Sequence, residues 1–158
     1  GSSAAAGVWG GQGCESFREA FMWQGTGGVT RWLSVPAAIA AVDQRWGWAT
    51  LRQWQQEMAI AAGRQMAAAF GTEVSDGSGG SMTGAMVSVR LPDTAREAYK
   101  DRFAFRDEIA HRHRVEVAID DSSGCWWCRL SFGPWNRAED VSRAIEAVGQ
   151  CAASPCGV

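Results

Sequence analysis

At 158 residues, with 46% apolar and 20% charged, the chain has the make-up of one globular domain and not of a disordered segment. Its net charge of −2 supplies no general excess of cations to neutralise a run of phosphates, which excludes the simplest kind of nucleic-acid binder. The uncharged stretches are short or broken by Gly and Ser, so no segment is suited to cross a membrane.

Nine Trp stand against one Tyr, and fourteen Arg against a single lysine, Lys100. Five cysteines (Cys14, Cys125, Cys128, Cys151 and Cys156) are an odd number in a chain too large to need stapling. They predict a reducing, cytoplasmic compartment. The chain opens Gly1-Ser2-Ser3 with no initiator Met, which reads as a tag scar or a piece cut from a longer protein, and the motifs below favour the second.

The first thirty residues are loop-like, with Gly7, Gly10, Gly11, Gly13, Gly25, Gly27 and Gly28 among Trp9, Phe17, Phe21 and Trp23. Such a stretch makes sense as a crossing segment that packs on something outside this chain. A helix is predicted over 30–42 with Thr30 as N-cap, kinked or restarted at Pro36. A longer helix is predicted from Ala49 to Phe70. Leu51, Trp54, Met58, Ala62, Met66 and Ala69 form its apolar stripe, and Gly71 stops it. Residues 75–81 read as a flexible loop.

Three strands are predicted: 86–91 ended by Pro92, 114–119 through Val115, Val117 and Ile119, and 125–131. A helix over 95–110 lies between the first two, opened by a Thr94–Glu97 capping box. A last helix over 136–148 is capped by Asn136, with Glu139 three residues on, and a frayed tail begins at Cys151. The expected fold is α+β: a small, mostly antiparallel three-stranded sheet with helices on one face. The expected divisions are 1–46, 47–150 and a 151–158 tail.

The spacing Cys125-Trp126-Trp127-Cys128 invites a redox or metal reading. A β-run, however, sends the two sulfurs to opposite faces, and no second pair completes a zinc site. His111 and His113 close a helix, where the dipole favours them, and no carboxylate orients either ring. No GxSxG elbow, Walker loop or metalloprotease helix is present. Arg129 remains. If Cys128 and Leu130 face the helices, its guanidinium points the other way and needs a carboxylate or phosphate partner. It can bind a ligand, pair with Glu116 on a neighbouring strand, or lie in solvent. Gly25-Thr26 offers a hydroxyl and bare backbone at a loop tip just before a helix, a spot that can hold an anion.

In order along the chain, Phe21-Met22-Trp23-Gln24-Gly25-Thr26, Trp32-Leu33-Ser34-Val35-Pro36-Ala37-Ala38-Ile39, Gly47-Trp48, Met86-Val87-Ser88-Val89-Arg90-Leu91-Pro92, Val115-Glu116-Val117 and Cys128-Arg129-Leu130-Ser131 resemble the class V aminotransferase family. The likeness is to its isopenicillin N epimerase-like branch and covers about residues 8–149, continuing through Asn136 and Glu139-Asp140. It implies the C-terminal part of a fold-type-I enzyme that uses pyridoxal 5'-phosphate, a homodimer acting on amino acids as aminotransferase, epimerase, lyase or desulfurase.

By the same resemblance Arg129 binds the α-carboxylate of the amino-acid substrate. Gly25 and Thr26 contact the cofactor phosphate of the neighbouring subunit. The Schiff-base lysine, the aspartate on the pyridine nitrogen and the ring-stacking residue lie upstream of the first matching motif. Gly27-Gly28 replace the family's usual Arg-Asp, and Trp135, preceded by Pro134, stands where a Tyr is usual. Lys100 falls in a predicted surface helix with no aromatic pocket nearby, so the chain alone is expected to be inactive and to hold no covalent cofactor. The alternatives are a non-catalytic module of the same fold acting in an interaction, and a thiol-redox protein using Cys125 and Cys128.

Overall fold

A computed structural model describes residues 28–153 of the chain. The chain divides into two compact units, Gly1–Arg45 and Trp46–Val158.

In the first unit α1 (Thr30–Leu33) ends at a turn on Ser34, and α2 (Val35–Trp46) follows at once. The predicted helix therefore restarts, with Pro36 in the first turn of α2, where its missing N–H costs nothing. Thr30 is the first helical residue and not the cap. Val29 holds the cap position and gives no side-chain hydrogen bond. Neither helix has a fully buried residue, and Trp32, Leu33 and Ile39 are exposed.

The second unit is α+β. It begins with α3 (Trp48–Phe70), at 23 residues the longest described helix. Gly71 ends it in the left-handed conformation, φ 64°, its N–H on the Ala67 carbonyl. The buried stripe differs from the predicted one. Leu51, Ala62 and Met66 are buried, but Ala59, Gly63 and Ala67 join them, while Ala69 is exposed. The reason is a close approach: a Cβ on Gly63 would lie 2.6 Å from Val87 Cγ2 and 2.9 Å from Val74 Cγ1. Small residues at i, i+4 and i+8 bring α3 down onto the sheet.

The strands β1 (Met86–Arg90), β2 (Ala118–Ser122) and β3 (Cys125–Ser131) form one antiparallel sheet in the order β1-β3-β2. Val87, Val89, Ile119, Trp126, Cys128 and Leu130 are buried, which is one face of the sheet. Helices cover that face. A two-residue turn, Ser123-Gly124, joins β2 to β3, with φ of 53° and 74°, the paired positive angles of a type I′ hairpin. This turn corrects the second strand. Pairing counts back from Ser122↔Cys125 to Ala118↔Arg129, so the strand is 118–122 and not 114–119. Val115–Val117 precede the ladder, and Val117 fills the core without pairing.

The helix predicted over 95–110 is two, α4 (Asp93–Ala98) and α5 (Arg102–His113). Tyr99 between them is extended, and its ring meets Phe105 edge-on at 5.0 Å. The Asp101 carboxylate then accepts from the N–H groups of Phe103 and Ala104, both at 2.9 Å, and starts a new helix. The Thr94–Glu97 capping box is not formed, because α4 follows directly on Pro92 with no side-chain cap. The last helix, α6 (Ala138–Ala153), is not capped by Asn136. Asp140 reaches back to the Arg137 N–H at 2.9 Å, while Asn136 Oδ1 accepts from Gly133 at 2.8 Å. Nor does the chain fray at Cys151: α6 runs on to Ala153 with Cys151 and Ala152 buried.

The loop between α3 and β1 is tied around Asp76. Its carboxylate accepts from the N–H and hydroxyl of Ser78, the Met82 N–H at 3.0 Å and the Thr83 hydroxyl at 2.7 Å. Among the described residues, no helix is long and apolar enough to cross a membrane.

The bonds from the Ser78 and Thr83 side chains hold Asp76 down at about 2, below the usual carboxylate value. A lowered folded value means the stabilisation is full above the ordinary range near 4 and is lost as pH falls towards 2. Asp76→Ala should therefore lower Tm at pH 7, and the gap from the parent chain should narrow through that window. Melting curves by circular dichroism at several pH values check this, and a gap that ignores pH would refute it.

Candidate functional site

Arg129 is on β3, the central strand, and alternation sends it to the face that no helix of its unit covers. Its ladder neighbours are Ser88 on β1 and Ala118 on β2. Both are small, so the guanidinium rises from the sheet without crowding. Asp120 stands two residues along β2 on the same face, the diagonal position that a long side chain can span. Arg129 Nη1 lies 3.4 Å from Asp120 Oδ2, and each side chain is 46% exposed.

The same carboxylate has a second cation. Arg102 Nη1 lies 3.7 Å from Asp120 Oδ1 and also donates to the Ile119 carbonyl at 2.7 Å. β2 is an edge strand, and Arg102 caps one of its outward carbonyls. The guanidinium also lies 4.4 Å from the centre of the exposed Phe103 ring. Arg102 is therefore held from three sides before any ligand arrives.

These groups line a cleft of about 720 Å³ beside β2, reaching from the start of α5 to the first turns of α6. Five arginines line it: Arg102, Arg106, Arg114, Arg129 and Arg143, of which Arg106 is paired with Asp107 at 2.9 Å. Against them are the carboxylates of Glu116, Asp120 and Asp140. A chain with net charge −2 thus gathers positive charge in one hollow. Such a hollow attracts anions, and an arginine fork on a strand suits a planar carboxylate.

Of the three readings open for Arg129, pairing with Glu116 is not the one formed. Glu116 precedes β2 and has no ladder partner, while Asp120 sits in register. Asp120 and Arg102 were not singled out by the sequence. The signal that finds Asp120 is the Ser-Gly turn, because counting back from it puts Asp120 on the Arg129 face, and the signal for Arg102 is the Asp101 cap that starts α5 just before it. Gly25 and Thr26, the predicted phosphate contact, lie outside the described residues.

Cys125 is half-buried and Cys128 fully buried, on opposite faces of β3. Burial, with the charge of Asp120 added, pushes the Cys128 thiol up to about 12, so it carries no thiolate for redox work. Among the described residues, no cluster of three or more His, Cys, Asp or Glu side chains is placed to hold a metal ion. His111 and His113 are in the last turn of α5, and neither lines the cleft. Lys100 is not inside a helix. It lies exposed in the break between α4 and α5, beside a depression of about 310 Å³ that Tyr99, Phe103 and Trp126 help to line. No family model matches the chain, and no curated protein matches it.

The burial of Cys128 makes a direct prediction. At pH 8 iodoacetamide should label Cys125 and leave Cys128 unmodified until the chain is unfolded, as peptide mass mapping would show. Equal labelling of both in the folded chain would contradict the buried, protonated thiol.

Proposed function

We propose that this chain is the C-terminal part of a pyridoxal-phosphate enzyme of the class V aminotransferase type, acting on amino acids, and that Arg129 receives the α-carboxylate of the substrate. One observation carries the reading. The motif residue Arg129 stands half-exposed on the uncovered face of the central strand and lines an arginine-rich cleft. A guanidinium so placed can take a carboxylate through two parallel N–H···O bonds, which fixes orientation as well as position. The small side chains of Ser88 and Ala118 leave room for it.

The described residues do not themselves suit the covalent attachment of the cofactor. Lys100 is the one lysine, and it is exposed. The two carboxylates that line the nearby depression are engaged elsewhere, Asp101 as the cap of α5 and Asp121 with Trp126 Nε1 at 3.2 Å. Nothing there desolvates the amine or offers a free carboxylate to a ring nitrogen. In this reading the lysine and its aspartate belong to chain upstream, Gly25 and Thr26 approach the cofactor phosphate, and a homodimer completes the site.

The test uses the complete reading frame that contains this chain. Arg129→Ala should remove about 2–4 kcal/mol of substrate positioning, a fall in kcat/KM of roughly 30- to 1,000-fold, expressed mainly in KM. Cofactor absorbance should be unchanged, and Arg129→Lys should recover only part of the loss because an ammonium lacks the planar fork. Unchanged kinetics towards amino acids would overturn the assignment.

A further inference from the structure

Two guanidiniums share one carboxylate at the edge of the sheet. Arg102 and Arg129 approach different oxygens of Asp120, at 3.7 and 3.4 Å. Neither contact is a tight bidentate pair. Formal charge over the three groups is one positive, the amount that a single carboxylate ligand neutralises. Had Asp120 only Arg129 beside it, the pair would be neutral, and an incoming carboxylate would meet the Asp120 anion with no second cation held against it.

Arg102 is also in a place that the helix does not favour. It is the first residue of α5, and a cation in the first turn opposes the helix dipole. The structure nevertheless anchors it, through the Ile119 carbonyl at 2.7 Å and the face of Phe103 at 4.4 Å. That anchorage holds its guanidinium against the Asp120 oxygen that Arg129 does not touch.

We propose that Arg102 is a positioning residue for carboxylate binding. It acts through Asp120, balancing that charge so that Arg129 remains a net cation for a monocarboxylate ligand. Asp120 in turn steadies Arg129 along the diagonal of the ladder and competes with the ligand for it. The proposal rests on the reading of Arg129 as the carboxylate site. It makes the three residues one unit with a single net positive charge, matched to one anion.

The experiment titrates the protein made from the complete reading frame that contains this chain with propionate at low ionic strength, where surface charges are least screened. Guanidinium nitrogen-15 NMR follows Arg129. The parent chain should bind, and Arg129→Gln should not. Arg102→Gln should weaken binding about five- to tenfold, because Asp120 then cancels Arg129. Arg102→Lys keeps the charge and should stay within about twofold of the parent. Asp120→Asn should tighten binding about threefold or more. The double variant Arg102→Gln/Asp120→Asn should bind at least as well as the parent, a rescue that a merely structural role for Arg102 does not allow.

If Arg102→Gln binds normally, or the double variant stays as weak as the single one, the proposal is overturned while the reading of Arg129 stands. If the parent chain shows no response at Arg129, that reading fails and this proposal with it.

Discussion

Everything in the second unit turns on the alternation of one strand. β3 sits at the centre of the sheet and has ladder partners on both sides, so its register is set twice. Trp126, Cys128 and Leu130 are each buried in the core, with Trp126 against Phe105 at 5.8 Å. A slip by one residue would drive Arg129 into that core and turn three apolar side chains outward. An unpaired buried guanidinium is among the costliest defects a fold can carry. The force that packs the core is therefore the same force that presents Arg129.

The helices complete this division of labour. α3 comes close to β1 because Gly63 lets it, and it closes the inner face over Val87. α5 starts beside the edge strand and brings Arg102 and Phe103 to the rim of the cleft. Its start is decided by the Asp101 carboxylate. A helical cap, a hairpin turn and an edge strand thus each fix one corner of the charged group. The exposed contacts within it are individually weak, about 0–1 kcal/mol for ion pairs of this kind. They add little to stability, and what they set is where the charge lies.

Much of this was legible from the residues. The period-two runs at 86–91 and 125–131, the helical spacing from Leu51 to Met66 and the stop at Gly71 are local signals with nothing to compete against them. The placement of Arg129 away from Cys128 and Leu130 followed from strand geometry alone. Other features were not legible, for identifiable reasons. The apolar alternation of Val115, Val117 and Ile119 looks like a strand, but the Ser123-Gly124 turn sets the pairing from the other end. Ala95 to Ala110 has helical composition throughout, and only the capture of two backbone N–H groups by Asp101 divides it. Asp120 and Arg102 escaped because their meeting depends on both of those misjudged boundaries at once. Neither residue is unusual in its own stretch of sequence.

The central claim is that Arg129 holds the carboxylate of an amino acid. Its most direct measurement is a crystal structure of the complete protein with an unreactive analogue of an amino-acid substrate bound. The account predicts the analogue's carboxylate within hydrogen-bond distance of two Arg129 guanidinium nitrogens, on the sheet face opposite Cys128, with Asp120 still between Arg129 and Arg102. A carboxylate held by other residues, with Arg129 left in solvent or paired only to Asp120, would contradict it.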